Sequence, residues 1–386
     1  MKKVKVWLGI AAIMLSLISG CGTAATSKST GDIKVGGDLE LSGNVATFGQ
    51  SVLNAVNLAF DDQNQKGGVL GRQLKLITAD NKSEAGESTA AITKLITQDN
   101  VVAVIGAVTS SNTKAAIPVA TDNKIPLITP TATNAEVTVN KDGSLNQWVF
   151  RSCFLDPFQG KVAANFVTNT LKLKKAAVFI DQKDDYSKGL GAEFEKDITA
   201  AGGRITDKEQ YVGGDKDFKS TLTRIKSSNP EVLFVPGYYN EVGLIVKQAR
   251  ELGLNIPIVG GDGWDSAKLA EIAGATNLNN TYFVNHMWAD DPETKPFVVA
   301  YKAKYGTDPD ALAALGYDAA GMLISAIKTA GTTDSAKIRE ALENTKNFQG
   351  VTGVITVDPK THNPVKSAVI IKLVDGNKTL LTHVNP

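Results

Sequence analysis

The sequence predicts an α/β protein of two doubly wound, Rossmann-like lobes joined by multiple hinge strands. From Asp32 onward, short β-rich runs alternate with amphipathic helical stretches, which is typical of a parallel sheet covered by helices on both faces. About 366 residues remain after a cleavable N-terminal segment, more than one hydrophobic core usually serves. Near the C-terminus the alternation breaks, which indicates a chain that returns to its first lobe before it ends in the second.

The first lobe begins with a strand and a helix that the apolar spacing defines. In the helix, Val52, Val56 and Phe60 recur on one face, and Gly67-Gly68 ends it. The same patterns predict strands at 33–39, 72–79, 101–105 and 125–128, with helices at 49–65 and 84–98 and one more after 101–105.

The same rhythm restarts after Arg151 and predicts a second sheet. The expected strands are 176–180, 204–211, 232–235, 258–260 and 282–284, and the expected helices are 159–170, 190–201, 216–228 and 241–252.

Three helical stretches then follow one another before two closing strands. These helices are predicted at 296–305, 311–330 and 335–344, and the strands at 353–357 and 368–374. We therefore expect a first lobe of residues 32–150 and 286–349, and a second lobe of residues 151–285 and 350–386.

The N-terminus has the pattern of a lipoprotein signal peptide at residues 1–20. Three early lysines precede an apolar run at 7–18, and Ser19-Gly20 stands before Cys21. This arrangement resembles the bacterial lipobox, so we expect Cys21 to carry lipid, residues 21–31 to form a flexible tether, and the protein to be anchored on the extracytoplasmic face of the cell membrane. An ordinary secretory signal with a chance cysteine is the alternative. No later apolar segment is predicted to span a membrane.

Composition excludes several classes of function. Without the signal peptide the net charge is −2, which gives no reason to expect nucleic acid as a partner. Cys153 is the second cysteine of the sequence, so no intramolecular disulfide is expected beside a lipidated Cys21.

Enzymatic motifs are missing from the sequence. The three histidines are not at metal-ligand spacing, and neither a Walker loop nor a G-x-S-x-G elbow occurs. The acidic pairs Asp184-Asp185 and Asp290-Asp291 are expected to be solvated surface. We expect no catalytic residue, no metal and no cofactor.

Two small polar loops point to binding. Residues 106–113 follow the strand at 101–105, and residues 129–134 follow the next strand, so both loops lie at carboxyl ends of parallel strands, where ligands bind in such sheets. Free N–H groups at a helix start, with Ser and Thr hydroxyls beside them, suit a carboxylate. Simple helix capping by serine is the alternative.

These loops, with other stretches, resemble the branched-chain amino-acid (Leu/Ile/Val) binding proteins of bacterial ABC transporters, which have the type I periplasmic-binding fold. The resemblance covers nearly all of the chain after the signal peptide. It rests on GNVATFGQSVLNAVN (43–57), GGVLG (67–71), the stretches 105–113 and 126–133, DQKDDYSKG (181–189), FVPGYYNE (234–241), GGDGWDS (260–266) and GYDAA (316–320).

The resemblance implies a site for a zwitterion. Ser110, Thr131 and Thr133 would hold the α-carboxylate and part of the ammonium, and Asp262 would accept the ammonium. Asp262 is shorter by one methylene than the acid common in the family. Alternatively, an aspartate in this glycine-rich turn would bind its own backbone.

The resemblance also implies residues around the rest of the ligand. Tyr186 and Tyr238 would close over it from the second lobe, and Phe48 and Trp264 would meet its side chain. Ordinary aromatic residues at strand ends are the alternative for the two tyrosines. A tryptophan is common in the family where Phe48 stands, so the pocket is expected to be reshaped.

The expected function is that of a solute-binding lipoprotein that delivers an amino acid, aliphatic or branched-chain, to ABC permease subunits. We expect a monomer that closes by a hinge between its lobes. One alternative keeps the fold but binds an aromatic acid or a small amide. Another is a sensor that reports ligand occupancy to a signalling partner, and a hydrolytic enzyme is the third.

Overall fold

The structure is a computed structural model that describes residues 31–386. Asp32–Pro386 form one compact unit. The predicted signal peptide (1–20), the predicted lipidation site Cys21 and the tether (21–31), except for Gly31, lie outside the described residues.

Five parallel strands form the first sheet, in the order β2-β1-β3-β4-β5. They are β1 (Ile33–Leu39), β2 (Leu74–Asp80), β3 (Val104–Gly106), β4 (Leu127–Thr129) and β5 (Val149–Arg151). The connecting helices are α1 (Ala46–Gln65), α2 (Ala85–Thr97) and α3 (Ser110–Asn123). The strand order reverses between β1 and β3, and ligands of doubly wound sheets bind beside such a reversal.

The second lobe repeats this arrangement with five more parallel strands. They are β6 (Lys175–Asp181), β7 (Arg204–Tyr211), β8 (Val232–Phe234), β9 (Ile258–Gly260) and β10 (Thr281–Asn285). The helices are α4 (Asp156–Asn165), which continues as a π-helical turn to Thr170, α5 (Asp185–Ala200), α6 (Lys219–Ser227), α7 (Tyr239–Glu251) and α8 (Lys268–Ala273).

Three consecutive helices then return to the first lobe. They are α9 (Lys295–Tyr305), α10 (Ala311–Ala330) and α11 (Ser335–Glu343). Gly316 of α10 lies directly against Val52 of α1, where an added Cβ would be 3.2 Å from the Val52 Cα. The return of the chain that the broken alternation predicted is therefore present.

The predicted strand 353–357 does not close the second lobe. Residues Gly353–Ile355 of it form β12, which pairs with β11 (Phe348–Gly350) in a two-stranded sheet. Asp318 of α10 accepts the N–H groups of Val351 (2.7 Å) and Thr352 (3.1 Å), so this hairpin is held on α10. The prediction was wrong because a strand's partner is set by long-range contacts.

Two antiparallel strands complete the second sheet. They are β13 (Ala368–Val374), which pairs with β10, and β14 (Asn377–Val384), which pairs with β13. The full order is β14-β13-β10-β9-β8-β6-β7. Strand β14 was not predicted, because this edge strand is mostly exposed and carries little apolar alternation. Strand β5 was not predicted either, because it has only three residues.

The chain passes from one sheet to the other at residues 152–155, returns at 286–294 and passes again at 356–367. These segments agree with the predicted multiple hinge connections. The lobe boundaries that the sequence suggests at residues 150, 286 and 350 stay a prediction.

Within the described residues, α10 is the one helix that is long and apolar enough to cross a membrane by length and composition, although no membrane-spanning segment was expected there. Of its apolar window, 78% is buried inside the protein. Its packing on α1 therefore makes it a core helix of the first lobe.

Candidate ligand-binding site

The loop after β3 is held in place by hydrogen bonds to a buried acid. Glu40, which follows β1, accepts the N–H groups of Val108 (3.0 Å) and Thr109 (3.0 Å) and the Thr109 hydroxyl (3.0 Å). Burial raises the pKa of Glu40. Free N–H groups were expected along this loop, but the N–H groups of Val108 and Thr109 donate to Glu40 and are not available to a ligand.

The two predicted loops converge, because hydrogen bonds join them. The Thr131 hydroxyl donates to the Val108 carbonyl (2.5 Å), and the Asn134 N–H donates to Ser110 Oγ (3.3 Å). Because Ser110 Oγ accepts this bond, its own proton is free to donate to a ligand. Ser110 is the first residue of α3, so its hydroxyl stands at a helix N-terminus.

A buried arginine holds the loop after β4. Arg151, the last residue of β5, donates to the carbonyls of Ala132 (2.7 Å) and Asn134 (2.9 Å). It is fully buried, and burial lowers its pKa. Because these bonds direct the carbonyls of Ala132 and Asn134 toward the arginine, the opposite edge of the loop is left to face the ligand.

Two stacked tyrosines cover the site from the second lobe. The rings of Tyr186, in the first turn of α5, and Tyr238, which precedes α7, are 5.2 Å apart and nearly parallel. Tyr186 Oη accepts the Gly263 N–H (3.2 Å). Burial raises the pKa of both tyrosines well above 10, so both hydroxyls keep their protons.

Asp262 lies in the short helical turn after β9. Its N–H donates to Gln159 Oε1 (2.7 Å), and its Oδ2 is 2.9 Å from His286 Nε2. The other oxygen, Oδ1, is buried and has no hydrogen-bond partner within residues 31–386. The side chain therefore does not bind its own backbone, and one carboxylate oxygen is available.

Phe48 and Trp264 have different positions. Phe48 of α1 meets Tyr238 of the other lobe edge to face, with ring centres 5.9 Å apart, and lines the cavity. Trp264 does not. Its indole N–H donates to the Val235 carbonyl (3.0 Å), and its ring lies so close to Gly260 that a Cβ there would be 2.1 Å away. The turn directs this side chain into the core, away from the cavity, and its expected contact with the ligand stays a prediction.

A small cavity lies between these groups. Its lining residues are Phe48, Val108, Thr109, Ser110, Thr131, Tyr186, Tyr238, Asp262, Gly263 and Leu312. Thr133 is buried behind this lining, with its hydroxyl beside the Asp156 carboxyl. Six of the eight ligand residues that the sequence suggested thus face one cavity.

Hydrogen bonds across the cleft show that the two lobes are closed. Ser111 donates to Asp184 Oδ1 (2.8 Å) and accepts the Asp185 N–H (2.9 Å). Asn44 donates to Glu241 Oε1 (2.8 Å). The expectation that Asp184 is solvated surface was wrong, because it faces the first lobe, and burial raises its pKa to about 6.

Several residues of the site carried no usable signal in the sequence. Leu312 reaches the cavity because the chain returns to the first lobe, and Glu40, Arg151 and His286 act through contacts between distant segments. Val108 and Thr109 lie in a predicted loop and could have been included. Among the described residues, no group of three His, Cys, Asp or Glu side chains could hold a metal ion.

Cys153 is a buried free cysteine, as the sequence suggested. Burial raises the pKa of its thiol to about 12, so it behaves as a small apolar residue.

Comparison with known proteins agrees with this geometry. Residues 32–378 match the periplasmic binding protein family. The chain belongs to this family. A Leu/Ile/Val-binding protein homolog of Brucella melitensis is 32% identical over 368 residues, which are 94% of this chain and 98% of that protein. The predicted family and the predicted two-lobed fold class are confirmed.

Solved structures of periplasmic binding proteins are similar over nearly the whole chain. A branched-chain amino acid transporter substrate-binding protein of Streptococcus pneumoniae, in complex with isoleucine, is 37% identical, with a TM-score of 0.86 and coverage of 92% of this chain and 100% of that chain. A solute-binding protein of R. palustris, in complex with benzoate, is 26% identical, with a TM-score of 0.83 and coverage of 92% and 97%.

Proposed function

We propose that this protein is an extracytoplasmic solute-binding lipoprotein of an ABC importer. It binds an aliphatic amino acid, in particular a branched-chain one, between its two lobes and delivers it to the permease. The similarity to branched-chain amino-acid binding proteins supports the class, and the cavity supports the ligand.

The observation that carries the proposal is that groups suited to a carboxylate and to an ammonium line the same small cavity. The Ser110 hydroxyl at the start of α3 suits a carboxylate, and Asp262 Oδ1, which has no hydrogen-bond partner among residues 31–386, suits an ammonium. A buried carboxylate such as Asp262 is costly without a charged partner, so a zwitterion is favoured over a neutral ligand because its ammonium pairs with Asp262 and its carboxylate with Ser110. Thr131 borders the carboxylate end of the cavity, and Thr133 supports the same loop from behind the lining.

The remaining lining is apolar. Phe48, Val108 and Leu312 contribute hydrocarbon, and Tyr186 and Tyr238 contribute ring faces. This lining suits an aliphatic side chain.

Thermal unfolding of the Asp32–Pro386 unit with each of the twenty amino acids tests this proposal, followed by calorimetry for every amino acid that raises the melting temperature. A ligand at about a thousand times its Kd adds roughly 4 kcal/mol of stability. We expect a selective response to leucine, isoleucine, valine or alanine. If none of the twenty amino acids raised the melting temperature, the proposal would be contradicted.

Asp262→Ala should weaken amino-acid binding at least tenfold, about 1.4 kcal/mol or more, because it removes the ammonium partner. Calorimetry against the unmodified protein measures the change. Asp122→Asn, an exposed position on α3, removes the same charge far from the cavity and should bind normally. Equal affinity of the Asp262 variant and the control would contradict the role of Asp262.

An aromatic acid is the second candidate, because the R. palustris relative is in complex with benzoate. Such an acid has no ammonium, so Asp262 would be an unfavourable neighbour. Benzoate in the same thermal screen separates the two: a response to benzoate alone would favour the aromatic acid.

We further propose that binding involves no covalent chemistry, that the protein acts as a monomer, and that Cys21 carries the membrane anchor. Mass spectrometry of the mature N-terminus tests the anchor. A diacylglycerol-modified Cys21 is expected, and an N-terminus at another residue would contradict it.

A further inference from the structure

His286 lies between the ligand cavity and the hinge. It directly follows β10, at the start of the 286–294 connection between the lobes, and its side chain is buried, with 4% of the residue exposed. Phe154, from the 152–155 connection, stacks on its ring at 3.7 Å between centres. Two hinge connections therefore fix the orientation of this imidazole.

The contacts of the ring define which nitrogen carries the proton. Burial lowers the pKa of His286, so the imidazole is neutral at neutral pH and has one N–H. Nε2 is 2.9 Å from Asp262 Oδ2, and a carboxylate oxygen needs a donor. Nδ1 has no hydrogen-bond partner in the described part of the chain. The proton is therefore on Nε2.

Because of the hydrogen bond from His286 Nε2, the two carboxylate oxygens of Asp262 have different roles. Oδ2 accepts the histidine proton, and Oδ1 has no partner among the described residues. We propose that His286 is a positioning residue that fixes the Asp262 carboxylate through Nε2–H, so that Oδ1 is directed at the ligand's ammonium. This inference rests on the proposed function.

Both members of the pair belong to the second lobe. Asp262 follows β9 and His286 follows β10, and these strands are neighbours in the same sheet, so lobe opening does not separate the two side chains. A carboxylate that is already oriented loses less conformational freedom when the ligand arrives, which favours binding.

Two amide variants with different reach test the inference. In His286→Gln the side-chain amide can take the place of Nε2, whereas in His286→Asn it reaches only the place of Nδ1. We expect His286→Asn to weaken amino-acid binding about tenfold, from loss of one hydrogen bond to a charged group, and His286→Gln to bind within about threefold of wild type. Equal affinities of the two variants would overturn the inference, and urea unfolding checks that both are folded.

The tautomer is measured without any ligand. In protein labelled with ¹⁵N-histidine, long-range proton–nitrogen NMR should show His286 protonated at Nε2 and not at Nδ1, with the signal assigned by its loss in His286→Gln. A proton on Nδ1 would overturn the positioning contact. Failure of the wild-type protein to bind any amino acid would instead contradict the proposed function. The NMR measurement would still test the hydrogen bond between His286 and Asp262.

Discussion

Two buried acids, Asp38 and Glu40, lie at the carboxyl end of β1 under the ligand-binding loop. Asp38 accepts hydrogen bonds from Asn81 Nδ2 (3.0 Å) and from the Ser88 hydroxyl (2.6 Å). Burial raises the pKa of Asp38 to about 8, and the charge of Glu40 adds to the effect. Asp38 is therefore protonated at neutral pH in the folded protein.

The raised pKa makes the stability depend on pH. Between about pH 4 and pH 8 the folded protein keeps a proton on Asp38 that the unfolded chain has released, so stability falls as the pH rises through this range. In Asp38→Asn this titration is absent. We expect the free energy of unfolding of the wild type to fall more steeply than that of the variant, by up to about 1.4 kcal/mol per pH unit.

Urea unfolding at a series of pH values between 4 and 9 measures this difference. Asp122→Asn, at an exposed position, serves as the matched control and should follow the wild-type curve. Parallel curves for the wild type and Asp38→Asn would show that Asp38 titrates normally.

At the scale of elements, the loop after β4 depends on its neighbour β5. The guanidinium of Arg151 satisfies the Ala132 and Asn134 carbonyls at once and also reaches the Thr138 hydroxyl (3.2 Å). The planar guanidinium holds its donors in fixed, separate directions, whereas the three donors of a lysine ammonium radiate from a single atom. The short strand β5 thus shapes the loop that carries Thr131 and Thr133.

Arg151→Lys keeps the charge but loses the planar guanidinium. We expect the free energy of unfolding to fall by at least about 1.5 kcal/mol, because buried carbonyls lose charged donors. We also expect weaker amino-acid binding, because the loop is less well fixed. Urea unfolding and calorimetry measure the two effects.

The matched control is Arg204→Lys on the exposed face of β7. Such surface changes usually alter stability by less than about 0.5 kcal/mol. A stability of Arg151→Lys equal to that of the control would contradict the role assigned to Arg151.

At the scale of the whole molecule, affinity depends on lobe closure. Asn240 at the start of α7 donates to Asn44 Oδ1 (3.0 Å) across the cleft and also to the Asn44 carbonyl. These bonds exist only when the lobes are closed. Because both lobes enclose the ligand, the apparent affinity for the ligand rises with the population of the closed form.

Asn240→Ala should therefore weaken amino-acid binding by about three- to tenfold, the value of one or two neutral hydrogen bonds, with little change in the free energy of unfolding. Calorimetry gives the affinity. Small-angle X-ray scattering should show a larger radius of gyration for the variant at subsaturating ligand.

Lys247→Ala, an exposed position on the same helix, is the control for this variant and should leave both affinity and scattering unchanged. Loss of stability without loss of affinity would mean that Asn240 supports the fold of α7 and not closure.

Much of the fold followed from local patterns. The strands 33–39, 204–211, 258–260 and 368–374 and the helix 311–330 have the predicted bounds, because apolar periodicity and glycine breaks act over neighbouring residues. Short or exposed elements such as β5 and β14 lack enough apolar residues to show a period.

The sequence by itself determined the alternation of strands and helices, the two lobes, and the loops at strand ends that carry Ser110, Thr131 and Asp262. Only the tertiary structure decided that Trp264 turns into the core, that Glu40 takes the loop's first N–H groups, and that the β11–β12 hairpin leaves the second sheet. The physical reason is range: periodicity and turn chemistry act between neighbours in the chain, whereas a buried side chain's direction and hydrogen-bond partner are set by residues far away in sequence.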